Sequence, residues 1–242
     1  GKTWSEPQNL FSGICSAPAV WAKDNNVMVV WPVETFDGDI RNYNLHYAFS
    51  QDAGKTWAIE DSLVAATPGN ALSPRLISAG QKILLCWMET PVSEIETDSP
   101  AEMTPENIDI STLKLKERSS SKNKELNQIS ISIYVADFVP GQAKNFSPRR
   151  LVSSFFAARP PQTFTPFRDE DGNYIVAYNK NFELEFYRSR NDGSTWQRHD
   201  YRADFFDPAS ITYVASGEDG PEAIRVERKP YLPVALQHMT LK

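Results

Sequence analysis

One eight-residue pattern occurs twice in the chain and constrains its fold more than any other feature. Residues 50–57 read Ser-Gln-Asp-Ala-Gly-Lys-Thr-Trp, residues 189–196 read Ser-Arg-Asn-Asp-Gly-Ser-Thr-Trp, and residues 1–4 match the last part of the pattern. An Asp or Asn side chain accepts hydrogen bonds from the backbone of a tight turn, and the glycine two positions later tolerates a positive φ. The Thr-Trp pair then favours an extended strand with a large apolar anchor. The sequence therefore predicts a repeated hairpin turn.

The pattern Ser-x-Asp-x-Gly-x-Thr-Trp resembles the Asp-box, or bacterial neuraminidase repeat, of the sialidase-like β-propellers. In that family the box is the turn between the third and fourth strands of a blade, at the edge opposite the substrate pocket. The resemblance implies an all-β propeller of four-stranded antiparallel blades. It also implies that the boxes serve turn formation and packing.

A second internal repeat agrees with the first. Three predicted β-hairpins start at a proline and end at an aromatic residue after 13, 13 and 12 positions: Pro18 to Trp31, Pro74 to Trp87, and Pro166 to Tyr178. The second arm of each hairpin is almost continuously apolar, which is typical of a strand buried on both faces. A repeated hairpin combined with a repeated box favours a propeller over a two-sheet sandwich, the alternative fold for short strands with many turns.

The spacing of the repeats predicts one insertion. Neighbouring units lie 53 positions apart between Gly1 and Gly54, and 56 apart between Pro18 and Pro74. The next spacings are longer: 139 positions from Gly54 to Gly193 and 92 from Pro74 to Pro166. They exceed two units of 53 and one unit of 56 by 33 and 36 positions, respectively. Residues 92–127 account for this excess, because they are first acidic, then basic and serine-rich, with little apolar periodicity. We expect residues 1–242 to form one propeller domain, either as about four closed blades or as an excerpt of a six- or seven-bladed ring.

Composition narrows the partners. The chain is 40% hydrophobic, and its 17 prolines and 11 glycines suit short strands joined by turns. The formal net charge is −6 and basic residues form no long tract, which argues against nucleic acid as a partner. No apolar run is long enough to span a membrane.

Cysteine and histidine usage predicts no metal and no cofactor. Cys86 lies in an apolar strand and reads as a buried hydrophobic residue, and a bridge to Cys15 stays open as an alternative. The three histidines are scattered, and no metal-ligand spacing or phosphate-binding loop occurs.

The resemblance also places candidate ligand-binding residues. In sialidase-like propellers substrate binds at the rim formed by the starts of first strands and the loops between second and third strands. The candidates on this rim are acidic and arginine side chains of three units: Glu34, Asp37, Arg41, Arg75, Glu89 and Arg159, with Asp39, Gln162, Lys180 and Asn181 as further rim residues. Arg75 and Arg159 are the candidates for binding a sugar carboxylate through paired hydrogen bonds.

The chain also departs from the resembled family. Enzymes of that family usually begin with a Phe-Arg-Ile-Pro-like segment, which does not occur in this sequence. Arg188 is near the position of another family arginine, but alternation along its strand directs it towards a neighbouring blade. Tyr187 and Glu185 resemble a tyrosine–glutamate pair only by their adjacency in the sequence, so no catalytic residue is assigned. We expect either a glycan-directed module that binds or hydrolyses acidic sugars, or a non-catalytic scaffold that binds proteins. The resemblance implies an extracellular, periplasmic or cell-surface location.

Overall fold

The computed structural model describes residues 7–37, 40–60, 69–91, 128–141, 146–161, 164–169, 171–180, 183–199, 211–217, 220–227 and 235–240. The insertion predicted at 92–127 lies outside these ranges.

Fifteen β-strands and no helix occur in the described ranges. Their bounds are β1 Ala19–Lys23, β2 Asn26–Asp37, β3 Ile40–Ser50, β4 Ala58–Glu60, β5 Gly69–Ala79, β6 Lys82–Pro91, β7 Ile129–Phe138, β8 Arg150–Ala157, β9 Phe164–Arg168, β10 Tyr174–Lys180, β11 Glu183–Ser189, β12 Gln197–His199, β13 Ile211–Gly217, β14 Gly220–Glu227 and β15 Ala235–Thr240. The described residues accordingly include no helix that could cross a membrane.

The strands form four antiparallel sheets in chain order. Strands β1 to β4, β5 to β8 and β9 to β12 make three four-stranded meanders, and β13 to β15 make a fourth sheet. The first strand of each sheet lies beside the first strand of the next, because β5 contacts β1 and β9, and β9 contacts β13. This arrangement is a β-propeller, and we number its sheets as blades 1 to 4. The prediction of an all-β propeller with four-stranded blades is confirmed.

The core lies between blades. Because β6 is buried on both faces, alternate side chains pack in opposite directions. Trp87 and Leu85 join the core shared with blade 1, whereas Cys86 and Met88 join the core shared with blade 3. Trp87 is fully buried. The almost continuously apolar hairpin arms predicted from the sequence are thus the strands that pack against both neighbouring blades.

The two eight-residue turns of the repeated pattern, which we call boxes, have the same hydrogen-bonded framework. In blade 1 the Gly54 amide donates to Ser50 Oγ at 2.8 Å, and the Thr56 amide donates to Asp52 Oδ1 at 2.8 Å. In blade 3 the Gly193 amide donates to Ser189 Oγ at 2.9 Å. Both glycines have positive φ, 84° and 76°. The boxes join β3 to β4 and β11 to β12, as the sequence predicts for the turn between third and fourth strands.

The box tryptophans are less buried than the pattern suggests. Trp57 and Trp196 are only partly buried, and each indole N–H donates to the carbonyl of its own box glycine, at 3.0 and 3.1 Å. Each ring therefore covers its own turn at the sheet edge. The turn itself packs on the previous blade, since a Cβ at Gly193 would lie 3.4 Å from the Arg150 guanidinium.

Both cysteines are free thiols. Cys15 is exposed and Cys86 is buried, so the alternative of a disulfide between them is not realised. Burial raises the pKa of the Cys86 thiol in spite of the nearby positive charge of Arg75.

Candidate functional site

The long β2–β3 hairpin carries three of the candidate residues to one rim. Glu34 lies opposite Tyr43, Arg41 lies opposite Phe36, and Asp37 ends β2 opposite Ile40. The Arg41 guanidinium forms an ion pair with the Glu34 carboxylate and also lies over the Phe36 ring, 5.8 Å from its centroid. The Glu34 side chain is only 7% exposed, whereas that of Arg41 is 50% exposed. Arg41 is therefore the group of this pair that solvent and ligands reach.

This rim is fixed at the junction of two blades. The Tyr43 amide in β3 donates to Asn70 Oδ1 at the start of β5, at 3.0 Å. Asn70 lies opposite Thr90, next to the end of β6. The start of a first strand and the loop end of a neighbouring hairpin thus meet, as the strand order of a propeller requires.

The Glu89 carboxylate is bound by side chains of its own blade, blade 2. The side chain is buried, and its carboxylate accepts hydrogen bonds from the Trp87 indole at 2.9 Å and from Arg149 Nη1 at 2.7 and 2.6 Å. The Arg149 guanidinium lies 4.5 Å from the centroid of the Tyr134 ring, which it covers. Because a buried charge is costly to leave unpaired, this pairing gives Glu89 a structural role.

Arg75 follows an irregularity in β5, and its side chain contacts the neighbouring blade. A register shift between Leu72 and Arg75 interrupts β5, and Ser73 at the shift has a φ of 53°. After the shift Arg75 lies opposite Cys86, whose side chain faces blade 3. The Arg75 guanidinium reaches β9, where Nε donates to the Phe164 carbonyl at 3.3 Å, while Nη1 donates to the Pro74 carbonyl at 2.9 Å.

Arg75 is also exposed, and no carboxylate of the described residues forms an ion pair with it. Arginine has five N–H donors, and the two carbonyls engage only some of them. The side chain is therefore a positively charged group whose orientation is already set by neutral partners. Such a group can bind a carboxylate with little further ordering.

The remaining rim candidates are dispersed. Arg159 is exposed in the connection after β8, five positions before Phe164. The Lys180 amine lies 3.9 Å from the Glu185 carboxylate and 5.4 Å from the centre of the Phe155 ring, which it covers. Asp39, Gln162 and Asn181 lie outside the described residues.

The structure contains a tyrosine–glutamate contact that the sequence did not predict. Tyr178 lies opposite Glu185 across β10 and β11, and its hydroxyl donates to Glu185 Oε2 at 2.8 Å. Ser153 in blade 2 lies 2.9 Å from the same hydroxyl. Burial raises the pKa of Tyr178, and the hydrogen bond to the Glu185 carboxylate adds to the rise. Because Tyr178 is fully buried between two blades, we assign the contact to blade packing. Knowledge of the β10–β11 register would have revealed it.

Arg188 belongs to its own blade. Its guanidinium pairs with Asp169 at 2.7 Å and Asp171 at 2.9 Å, both next to the turn that joins β9 to β10. The two carboxylates balance the positive charge of Arg188, whose position in the strand alternation places its side chain away from blade 2. Among the described residues, no group of three or more His, Cys, Asp or Glu side chains could hold a metal ion.

Comparison with solved structures agrees with this architecture. A leech intramolecular trans-sialidase in complex with 2,7-anhydro-Neu5Ac superposes with a TM-score of 0.54 at 11% identity, covering 92% of this chain and 50% of the other. A structure of NanB with optactamide superposes with a TM-score of 0.51 at 11% identity, covering 89% of this chain and 48% of the other. The chain thus spans about half the length of both structures. At this identity the likeness establishes a sialidase-like propeller fold.

No protein-family model matches the sequence, and no curated protein is similar enough to count as a relative.

Proposed function

We propose that this chain is a glycan-directed module of the Asp-box sialidase-like type, which binds the carboxylate of an acidic sugar. The observation that carries the proposal is the environment of Arg75. Its guanidinium is exposed, oriented by the carbonyls of Phe164 and Pro74, and paired with no carboxylate of the described residues. Paired charge-assisted hydrogen bonds from arginine are well suited to a planar carboxylate.

Arg159 is the second positive group on this part of the chain. It is exposed and precedes the strand whose carbonyl orients Arg75. Arg41, held over Phe36 beside Glu34, supplies polar and aromatic surface at the junction of blades 1 and 2. Arg41 and Arg159 supply hydrogen-bond donors suited to the hydroxyl groups of a glycan. A module that meets free glycans works outside the cytoplasm, and we propose an extracellular, periplasmic or surface location.

We further propose that the described part of the chain does not hydrolyse sialosides by itself. A retaining glycosidase needs a nucleophile and an acid–base group on opposite sides of one sugar. Within the described residues, Glu89 and Glu185 are both held in buried contacts, and Tyr178 is sealed between blades.

Two assays on the purified chain test these statements. Release of fluorophore from a sialic-acid conjugate measures turnover, and calorimetric titration with free sialic acid measures binding. We expect no turnover, and binding that is lost in Arg75→Ala and weakened in Arg159→Ala. Lys55→Ala is the matched control, because Lys55 is an exposed cation in the blade 1 box, at the opposite rim.

Each other outcome decides against part of the proposal. Turnover that disappears in Arg75→Ala would show a complete catalytic site and contradict the non-catalytic assignment. Absence of binding would favour the alternative, a scaffold for protein partners. That alternative has one supporting observation: Leu151 and Phe156 on the outer strand β8 are 53% and 61% exposed.

A further inference from the structure

The end of the β2–β3 hairpin presents an aromatic ring to solvent. Strand β1 pairs with β2 only at residues 26–30, and β4 pairs with β3 only at residues 47–49. The end of the hairpin therefore extends past the other two strands of blade 1. Near this end Phe36 is 58% exposed, although a phenylalanine side chain gains stability from burial. Much of this ring is thus open to a ligand.

The ring shares one face of the hairpin with Glu34 and Arg41. The register between β2 and β3 has no shift, and residues that are directly opposite or two apart on a strand lie on the same face. Farther along this face, Val30 and Tyr47 belong to the core shared with blade 2. The three side chains at the hairpin end therefore lie on the side of blade 2, at the junction described above.

Arg41 is held beside the ring in a fixed position. Its Nε forms the ion pair with the Glu34 carboxylate, which is almost buried, and its guanidinium lies 5.8 Å from the centroid of the Phe36 ring. Because a guanidinium has five N–H donors, an ion pair through Nε leaves further donors for a ligand. A ligand that packs on the ring would meet these donors without further ordering of the arginine.

The charge at the hairpin end differs from the charge at Arg75. The Glu34 carboxylate balances the positive charge of Arg41, whereas no carboxylate of the described residues forms an ion pair with Arg75. A carboxylate ligand at Arg41 would be repelled by Glu34 and would compete with it. An aromatic ring beside a balanced ion pair therefore suits a neutral ligand.

We propose that Phe36 and Arg41 form a binding site for the ring of a neutral hexopyranose sugar. The C–H groups on one face of such a sugar make an apolar surface that packs on an aromatic ring, and its hydroxyl groups accept hydrogen bonds from a guanidinium. This inference rests on the proposed function, because it assigns a second sugar to a glycan-directed module. It involves none of the groups around Arg75, which lie at the junction of blades 2 and 3.

NMR titration of the purified chain with lactose and with cellobiose, two neutral disaccharides, tests the site. We expect affinities in the millimolar range. Phe36→Leu keeps an apolar side chain in the hairpin but removes the ring, so it should weaken binding about fivefold or more. Phe36→Tyr keeps the ring and should retain binding. Phe156→Leu is the matched control, since Phe156 is 61% exposed on the outer strand of blade 2.

The arginine has its own test. Arg41→Lys keeps a positive charge for Glu34 but loses the fork of donors, so we expect it to bind both disaccharides more weakly than the unchanged chain. Equal binding by this variant would contradict the role of Arg41 as a donor to the sugar.

Titration of the unchanged chain with sialic acid separates this inference from the proposed function. Binding of a disaccharide without binding of sialic acid would support the neutral-sugar site and contradict the role of Arg75. Binding of sialic acid without binding of either disaccharide up to about 100 mM would overturn the neutral-sugar site alone. Equal disaccharide affinities of Phe36→Leu and Phe156→Leu would overturn it as well.

Discussion

Replacement of Tyr178 by phenylalanine should remove a buried polar contact that links two strands of blade 3 to each other and to Ser153 of blade 2. The hydroxyl of Tyr178 donates to Glu185 Oε2 at 2.8 Å and lies 2.9 Å from Ser153 Oγ, and the ring is fully buried. Removal of a hydrogen bond to a charged partner costs about 1.5–3 kcal/mol. For a domain of this size we expect a fall in melting temperature of roughly 3–12 °C.

Tyr187→Phe is the matched control. Tyr187 stacks on Tyr178 with ring centroids 5.9 Å apart, but it is only partly buried. We expect this control to change the free energy of unfolding by no more than about 0.5 kcal/mol. Thermal unfolding of both variants, followed by circular dichroism, gives the comparison. Equal effects of the two substitutions would refute a stabilising role for the hydrogen bonds of the Tyr178 hydroxyl.

The raised pKa of Tyr178 adds a pH dependence to the same prediction. An unfolded tyrosine loses its proton near pH 10, whereas the folded Tyr178 keeps it to higher pH. Its contribution to stability is therefore complete below about pH 10 and declines as the pH rises further. The stability difference between the unchanged protein and Tyr178→Phe should narrow above about pH 10, and a difference independent of pH would contradict the assigned cause.

Five further substitutions, in three comparisons, test the box turns and their packing. Hydrogen bonds, chiefly from the Thr56 hydroxyl, lower the pKa of Asp52 to about 2, whereas an unfolded Asp titrates near pH 3.9. The stability of the protein relative to Asp52→Asn should therefore decline as the pH falls from about 5 to about 2. A series of unfolding measurements in acid tests this, and a stability difference that stays constant would contradict it. Trp57→Ala and Trp196→Ala should each cost about 1–3 kcal/mol in thermal unfolding, less than a fully buried tryptophan, and a cost near 5 would contradict partial burial. Gly193→Ala and Gly80→Ala share a backbone penalty of about 1–2 kcal/mol, because both glycines have positive φ. A Cβ added at Gly193 would lie at ordinary contact distance from its neighbours, so denaturant titration should show similar losses of stability for the two variants, and a much larger loss in Gly193→Ala would contradict this.

The sequence predicted the architecture well because its signals are local. A box turn depends on hydrogen bonds between residues at most four positions apart, such as Ser50 with Gly54. The apolar arm that ends at Trp87 is equally visible along the chain. The family resemblance carried by these local patterns implied four strands per blade and placed the boxes between third and fourth strands.

The candidate site was less predictable because its state depends on distant partners. Glu89 was a reasonable rim candidate, yet Arg149, 60 positions away and beyond the insertion, binds its carboxylate inside the blade. Arg75 is oriented by the carbonyl of Phe164, 89 positions away. No spacing rule connects such residues, since the contacts arise only when neighbouring blades pack.

The central claim is that Arg75 recognises a carboxylate at the junction of blades 2 and 3. Its most direct test is the affinity of the chain for sialic acid compared with the methyl ester of sialic acid, which keeps the ring but removes the charge. We predict that the free acid binds about 10- to 100-fold more tightly, and that Arg75→Ala abolishes this preference. An Arg75→Ala variant that retains the preference for the free acid would contradict the account.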